Sequence, residues 1–318
     1  MKTLALPLAL PLALPLALLA LLAAATLLLP PYHEGNLARI MLLATYAMGY
    51  NIAFGYTGLL SLGHALFFGA GMYAAGMAAE YGGVPAAPGL ALGLLGGGAM
   101  ALAVGLLALR TSGVSFLIVT MMFAQAGYLT ILYNTDVTRG EEGIVLAAAL
   151  RRIAGFDLAQ DDTRYLAAFA IFAVGLIAQA LLVRSRFGRV MVAMRENEER
   201  SRMLGYSPYR VKLIALVISG LYAGVAGAAY ALLFGYMGAG FAAIQNSIAP
   251  LLWVLLGGAG TVLGPFLGTA AMFYLTDLAA SLTTATLLVT GVALLLLVLF
   301  APKGILGTIR DRWAPWLP

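Results

Sequence analysis

Groups able to do chemistry are scarce in this chain, and the scarcity restricts what it can do. There is no Cys, and the two His, His33 and His64, stand far apart. That leaves no thiol nucleophile and no ligand set for a zinc ion. The three lysines, Lys2, Lys212 and Lys303, each follow a residue other than Gly, so no phosphate-cradling GxxxxGK[ST] loop exists. The chain therefore cannot hydrolyse ATP by that route, and it is expected to be no enzyme and to need no cofactor or metal. One stretch, residues 184–212, concentrates charge: eight basic residues stand there against Glu196, Glu198 and Glu199. From about 187 to 206 it reads as one helix, ending at Gly205 with Pro208 beyond. Val190, Met191, Met194 and Met203 form its apolar side; Arg195, Glu196, Glu199 and Arg202 form its charged side. A lipid-binding face would be mostly basic. Mixed signs fit docking into a groove of a partner better.

The remaining chain must position that helix, and it is built for a bilayer. Residues are 62% hydrophobic and 10% charged, with a mean hydropathy of +0.96. Apolar runs recur near 4–29, 37–54, 63–80, 89–109, 113–133, 165–183, 209–235, 247–260, 263–282 and 285–301. The first is longer than a signal-peptide core and reads as a membrane helix, irregular at its start because Pro7, Pro11 and Pro15 recur. The fold expected is an all-α polytopic membrane protein, one domain over 1–318, with about ten transmembrane helices. The positive-inside rule puts 184–212 in the cytoplasm; ten crossings then place Lys2, Arg110 and Lys303 there too, with both termini. Residues 134–164 fall outside. Their four Arg are outnumbered by six acids, so no positive bias opposes that position. A loop of this length is more often functional than accidental.

Two segments read as broken helices. "NIAFGYTGLLSLGHALFFGAGMYAAG" (51–76) sets Asn51, Tyr56, Thr57, Ser61 and His64 in apolar sequence. "LLGGAGTVLGPFLG" (255–268) crowds glycines around Pro265. Irregular backbone at membrane depth survives only beside protein or water, so these five polar residues are candidates to border a pathway. A tight loop joining two ordinary helices explains the same spacing equally well. Small residues recur every fourth position, as Ser219, Ala223, Gly227 and Ala231, and as Gly220, Gly224 and Ala228. These stripes suit close helix packing. By these boundaries only Asp277 among the acids lies within a span, near its outer end. An ion-coupled carrier needs buried ionisable groups, so transport here must be passive or energised by a partner.

Four blocks in order resemble one known family. "GYTGLLSLGHALFFGAGMYAAG" (55–76), "RFGRVMVAMRENEERSRMLGYSPYRVKLIALVISGLYAGVAGAAYA" (186–231), "LLGGAGTVLGPFLGTA" (255–270) and "FAPKGILG" (300–307) are similar to the M-type permease subunit of branched-chain amino acid ABC importers. The resemblance implies a permease of the type II-like class in the bacterial inner membrane. It implies a second, H-type permease subunit, two ATP-binding subunits and a periplasmic or lipid-anchored substrate-binding protein as partners, with ATP used by the partner and no nucleic acid involved. "RENEERSRMLGYS" (195–207) resembles the family's coupling helix, which makes Arg195, Glu196, Asn197, Glu198, Glu199 and Gly205 the expected contacts to the ATPase.

The chain departs from the family in the external loop. Many members carry a motif like LTGGxDGL where this chain has "VTRGEEGIVL" (137–146). Gly140 and Gly143 stand, but Arg139 replaces a Gly and the acids are Glu141 and Glu142. These five residues are expected near the docking or entry side, although Arg139 and Glu142 could also pair and pin the loop. The substrate expected is a branched-chain amino acid or related small polar metabolite; the wider family also resembles importers of urea, amides and aromatic or other carboxylic acids. A stand-alone channel or facilitator, and a membrane scaffold, are the readings from other classes.

Overall fold

A computed structural model describes residues 10–25, 30–153, 156–282 and 304–312, with 285, 288–289, 291–292 and 295 between the last two stretches. It is mostly helical. The long helices are α1 (Leu10–Ala25), α2 (Pro31–Asn51), α3 (His64–Gly82), α4 (Ala86–Ala108), α5 (Val114–Tyr133) and α6 (Asp161–Arg184). Then follow the short α7 (Arg186–Glu196) and α8 (Glu198–Met203), α9 (Pro208–Phe234), α10 (Gln245–Gly257), α11 (Gly264–Leu282) and α12 (Gly304–Arg312). Among the described residues, five helical stretches are long and apolar enough to cross a membrane: α2 with its final turn, α4, α5, α6 and α9. The expected run at 285–301 lies mostly outside the described residues, as do Pro7, Lys2 and Lys303. The first helix continues through Pro15 rather than starting after it.

Helix α9 is the central post, packed against α4 and α3 on one side and α2 on another. The small-residue stripes explain how. A Cβ built on Gly224 would stand 2.8 Å from the Cα of Gly97 on α4, a distance that real Cβ atoms do not show. Gly220 and Ala228 meet Ala101 and Gly93 of α4, while Gly227 meets the backbone at Phe68 of α3. Backbone therefore lies on backbone, and dispersion at that range replaces the hydrophobic drive that lipid cannot supply. The outer flanks are apolar and open: Leu95, Leu107, Met122, Leu166 and Val174 are all exposed. In a bilayer those side chains face lipid.

The two ends of the bundle differ. At one end residues 58–60 and 109–114, with Glu198, Arg202, Tyr209 and Lys212 among others, line a common cavity of about 690 Å³. We call this the charged end. At the other end the 134–164 segment ties to the turn after α9. There β1 (Ile144–Val145) pairs antiparallel with β4 (Tyr236–Met237), with Ile144 opposite Met237. A second small hairpin joins β2 (Arg152–Ile153) to β3 (Phe156–Asp157). Asp277 also lies at this loop end, accepting a hydrogen bond from Tyr32 at 3.1 Å.

Candidate functional site: a joint between two helix breaks and the charged helix

The charged stretch is two helices rather than one. Ser185 starts α7, its Oγ accepting from the Gly188 N–H at 3.1 Å. Asn197 then adopts an extended conformation and starts α8, its Oδ1 accepting from the Arg200 N–H at 2.8 Å. Asn is among the best N-capping residues, and here it reverses a helix that composition alone would continue. Gly205 stops α8 with φ +88°, as expected. The break redistributes the side chains. Met191 and Met194 are buried against Ile52, Tyr56, Val211 and Ala215, forming a small core under α7. Met203 is instead 87% exposed and Leu204 72%, so the apolar side expected to be continuous turns away from the bundle beyond Asn197. Glu196, Asn197, Glu199 and Gly205 are exposed. Glu198 is not part of that outer face: it reaches back to Lys212 at 2.5 Å and to Arg202 at 3.6 Å, fastening α8 to the base of α9.

Both expected breaks are present, and the structure brings them together. At the first, α2 widens into a π-turn, Ile52–Tyr56. Such turns free backbone groups, and Thr57 compensates by donating its hydroxyl to the Ile52 carbonyl at 2.9 Å. At the second, α10 ends at Gly257 and α11 starts at Gly264. Gly260 between them has φ +74°, a conformation that favours Gly. Asn51 bridges the two. Its Nδ2 donates to the Thr261 carbonyl at 2.8 Å, and its Oδ1 accepts from the Gly260 N–H at 2.9 Å.

Arg195, on the last turn of α7, joins this bridge. Its Nη1 donates to the Gly55 carbonyl inside the π-turn. The same nitrogen lies 2.8 Å from where a Cβ on Gly260 would stand, and Gly58 faces the stem of Arg195. One guanidinium thus touches both breaks. A carbonyl left free by irregular backbone is a good acceptor for a charged donor, here from an arginine that remains exposed on its outer side.

The five candidate pathway residues lie within this joint. Asn51, Tyr56, Thr57, Ser61 and His64 are all buried. Ser61 Oγ accepts from the Gly63 N–H at 3.1 Å, and its carbonyl accepts from Tyr50. His64 Nε2 is 2.7 Å from Ser219 Oγ on α9, and its ring meets those of Tyr50 and Phe67. The Ala65 N–H donates to Ser247 of α10 at 2.9 Å. As placed, these groups hydrogen-bond or pack within the chain. Thr120, whose Oγ1 accepts from the Leu62 N–H at 3.2 Å, was missed as a partner, as were Ser219, Ser247 and Thr261; a lone hydroxyl residue in apolar sequence carries no spacing signal. Asn51→Ala would orphan a buried N–H and a buried carbonyl, at about 1–3 kcal/mol each. A loss of stability in chemical denaturation that matches the loss of uptake would mark Asn51 as part of the joint. An uptake loss with stability retained would mark it as a pathway residue.

At the loop end, Arg139 has φ +57°, in the left-handed region that favours a Gly. Glu141 and Glu142 stand exposed on the tip, between the buried Gly140 and Gly143. Among the described residues no ion pair joins Arg139 to Glu142; instead the β1–β4 pairing and the Thr138 hydroxyl, which donates to Asn134 at 2.8 Å, pin the loop. No group of His, Cys, Asp or Glu able to hold a metal occurs among the described residues.

Comparison with known proteins places these features in context. Residues 33–301 match the family described as "Branched-chain amino acid transport system / permease component". The chain is 28% identical over 294 residues to the high-affinity branched-chain amino acid transport system permease protein LivM of Escherichia coli strain K12, covering 86% of this chain and 69% of that one. It is 30% identical over 156 residues to a probable branched-chain amino acid transport permease protein LivM of Methanocaldococcus jannaschii, 48% of this chain and 44% of the relative. Over 113 residues it is 34% identical to the autoinducer 2 import system permease protein LsrC of Klebsiella pneumoniae, 34% of this chain and 32% of the relative. No solved structure matches.

Proposed function

Because the chain belongs to the branched-chain amino acid transport permease family, a group of multi-pass membrane transport components, we propose that it is the membrane subunit of an ABC importer in the bacterial inner membrane. The charged end is cytoplasmic, with both termini, and the loop end faces the periplasm. Separate ATP-binding subunits dock on the outer face of α8, and a substrate-binding protein delivers cargo to the loop end. A second permease subunit completes the passage, which runs between the two chains. The cargo is a branched-chain amino acid or a related small polar metabolite.

The observation that carries this reading is the position of Arg195. Glu196, Glu199, Met203 and Leu204 offer a partner an outward face of charge and apolar surface. Beside Glu196 and four residues before Glu199, Arg195 holds the π-turn that ends α2 and lies against the glycine break before α11. A push on α8 therefore reaches two spanning elements through one residue. Helix α9 does not yield, because its glycine contacts with α4 leave no slack. Motion would concentrate at the irregular turns, which are the softer parts. The polar residues of 51–64 form the joint of this gate.

The test is reconstitution of the chain with its ATP-binding and partner permease subunits in proteoliposomes. Uptake of radiolabelled leucine, phenylalanine and urea is measured with ATP inside and binding protein outside. Uptake that needs both supports the reading; ATP-independent equilibration would make the chain a channel. At the loop end, Glu141→Lys and Glu142→Lys are expected to weaken binding-protein stimulation of ATP hydrolysis, more strongly at low salt, where the Debye length grows to about 30 Å at 0.01 M. Stability should change by less than about 1 kcal/mol, since both side chains are exposed. Unchanged stimulation across a salt series would leave the loop purely structural.

A further inference from the structure

Three guanidinium groups gather at the loop end around the last turn of α9, two of them over one aromatic ring. Phe234 is the last residue of α9. The Arg39 Cζ lies 4.9 Å from its ring centroid and the Arg164 Cζ 5.4 Å. Arg151 Nη1 donates to the carbonyl of Leu233 at 3.4 Å and its guanidinium lies against Gly235, so it meets the residues on either side of Phe234. These arginines come from α2, from the 134–164 segment and from α6. Arg39 and Arg151 are close enough to Arg164 for their like charges to act on it. Packing three cations together costs free energy unless an anion completes the cluster.

The chain's own carboxylates do not complete it. Among the described residues, Asp161 alone forms an ion pair with the trio, to Arg164. Glu34 is buried near Tyr165 and ion-pairs with none of the three. Asp157 sits opposite Arg152 in the small hairpin and accepts from the Ala159 N–H; Asp162 is exposed. Donors also stand unused: the Nε atoms of Arg151 and Arg164 are buried with no hydrogen-bond partner among the described residues. Depth adds a second argument. Arg39 lies eight residues into α2, about 12 Å along its axis from Pro31. Yet its side chain is exposed rather than packed away. An exposed arginine that deep in a spanning helix is costly unless water or a counter-ion meets it. The ring supplies the remaining element. Phe234 also packs against the Tyr230 ring, tilted by 39° with centroids 4.8 Å apart, which helps to hold its position.

We infer that Arg39, Arg151 and Arg164, gathered at Phe234, form a binding site for a single oxyanion, a carboxylate or a phosphate group carried by a molecule with an apolar portion. The carboxylate of a small solute entering from this side and the phosphate of a lipid headgroup share that chemistry. The site stands on these contacts and not on the importer reading, and its test needs no ATP-binding subunit.

The full chain is reconstituted in nanodiscs of phosphatidylcholine. Sodium isovalerate is titrated against sodium chloride at matched ionic strength, and the unfolding midpoint is followed. In a second arm, nanodiscs contain phosphatidylglycerol as well, and native mass spectrometry counts the lipid retained. The variants are Arg39→Gln, which removes one exposed cation, and Arg39→Lys, which keeps the charge and controls for folding. A rise in midpoint with isovalerate, with apparent affinity about tenfold weaker in Arg39→Gln and mostly kept in Arg39→Lys, assigns the site to a soluble carboxylate. Retention of phosphatidylglycerol by the wild type and Arg39→Lys but not by Arg39→Gln, with no isovalerate effect, assigns it to lipid phosphate. If neither ligand distinguishes Arg39→Gln from the wild type, the inference is wrong.

Discussion

Arg195→Ala is expected to lower substrate uptake by about tenfold or more while ATP hydrolysis by the assembled transporter continues. The side chain makes one charge-assisted bond, to the Gly55 carbonyl, and lies against Gly260. A bond of that kind is worth about 1.5–3 kcal/mol, so the subunit should still fold. What is lost is the link from α7 to the two helix breaks. The docking surface on α8 remains, and with it the stimulus to hydrolysis. Arg195→Lys should recover part of the uptake, since a single ammonium can reach one carbonyl but cannot also lie flat against the glycine turn. Uptake and hydrolysis are measured on the same proteoliposomes. If both fall in proportion, Arg195 serves assembly rather than transmission.

The second large effect concerns the post of the bundle. Gly224→Leu is expected to destabilise the chain by at least about 3 kcal/mol and to abolish recovery of folded protein. The new side chain would have to pass through the backbone of α4 at Gly93 and Gly97, and neither backbone can give way as a flexible side chain could. Val225→Leu is the control. Val225 borders an apolar groove on the outer flank, where added methylenes meet lipid, so its change should stay within about 0.5 kcal/mol. Denaturant titration in detergent compares the two. Equal stabilities would mean that α4 and α9 do not approach as closely as described.

Much of this was legible from composition and pattern. Five of the expected spans stand as long apolar helices among the described residues, and the stripes at 219–231 named the face on which α9 packs. The two breaks could be found because Gly and polar residues, with Pro265 in the second, interrupt apolar sequence there. Their meeting could not. Asn51 and Thr261 are 210 positions apart, and neither carries a periodic signal. Asn197 illustrates a local limit. Read by charge and apolarity it continues a helix; read as a capping residue it begins one, and the capping bond to Arg200 decides. The arginine cluster around Phe234 was hidden for the same reason as the joint. Its members sit on three separate elements, and nothing in their spacing joins Arg39, Arg151 and Arg164.

The most direct measurement of the central claim, that the charged helices carry the motion of an ATPase into the membrane, reverses the outer face of α7–α8. Glu196→Lys with Glu199→Lys is made in the full transporter, and leucine uptake and ATP hydrolysis are recorded together in proteoliposomes. Both residues are exposed and form no ion pair among the described residues, so folding should be untouched. The account predicts uptake near background, with hydrolysis no longer responding to the substrate-loaded binding protein. Uptake at the wild-type rate with both charges reversed would contradict it.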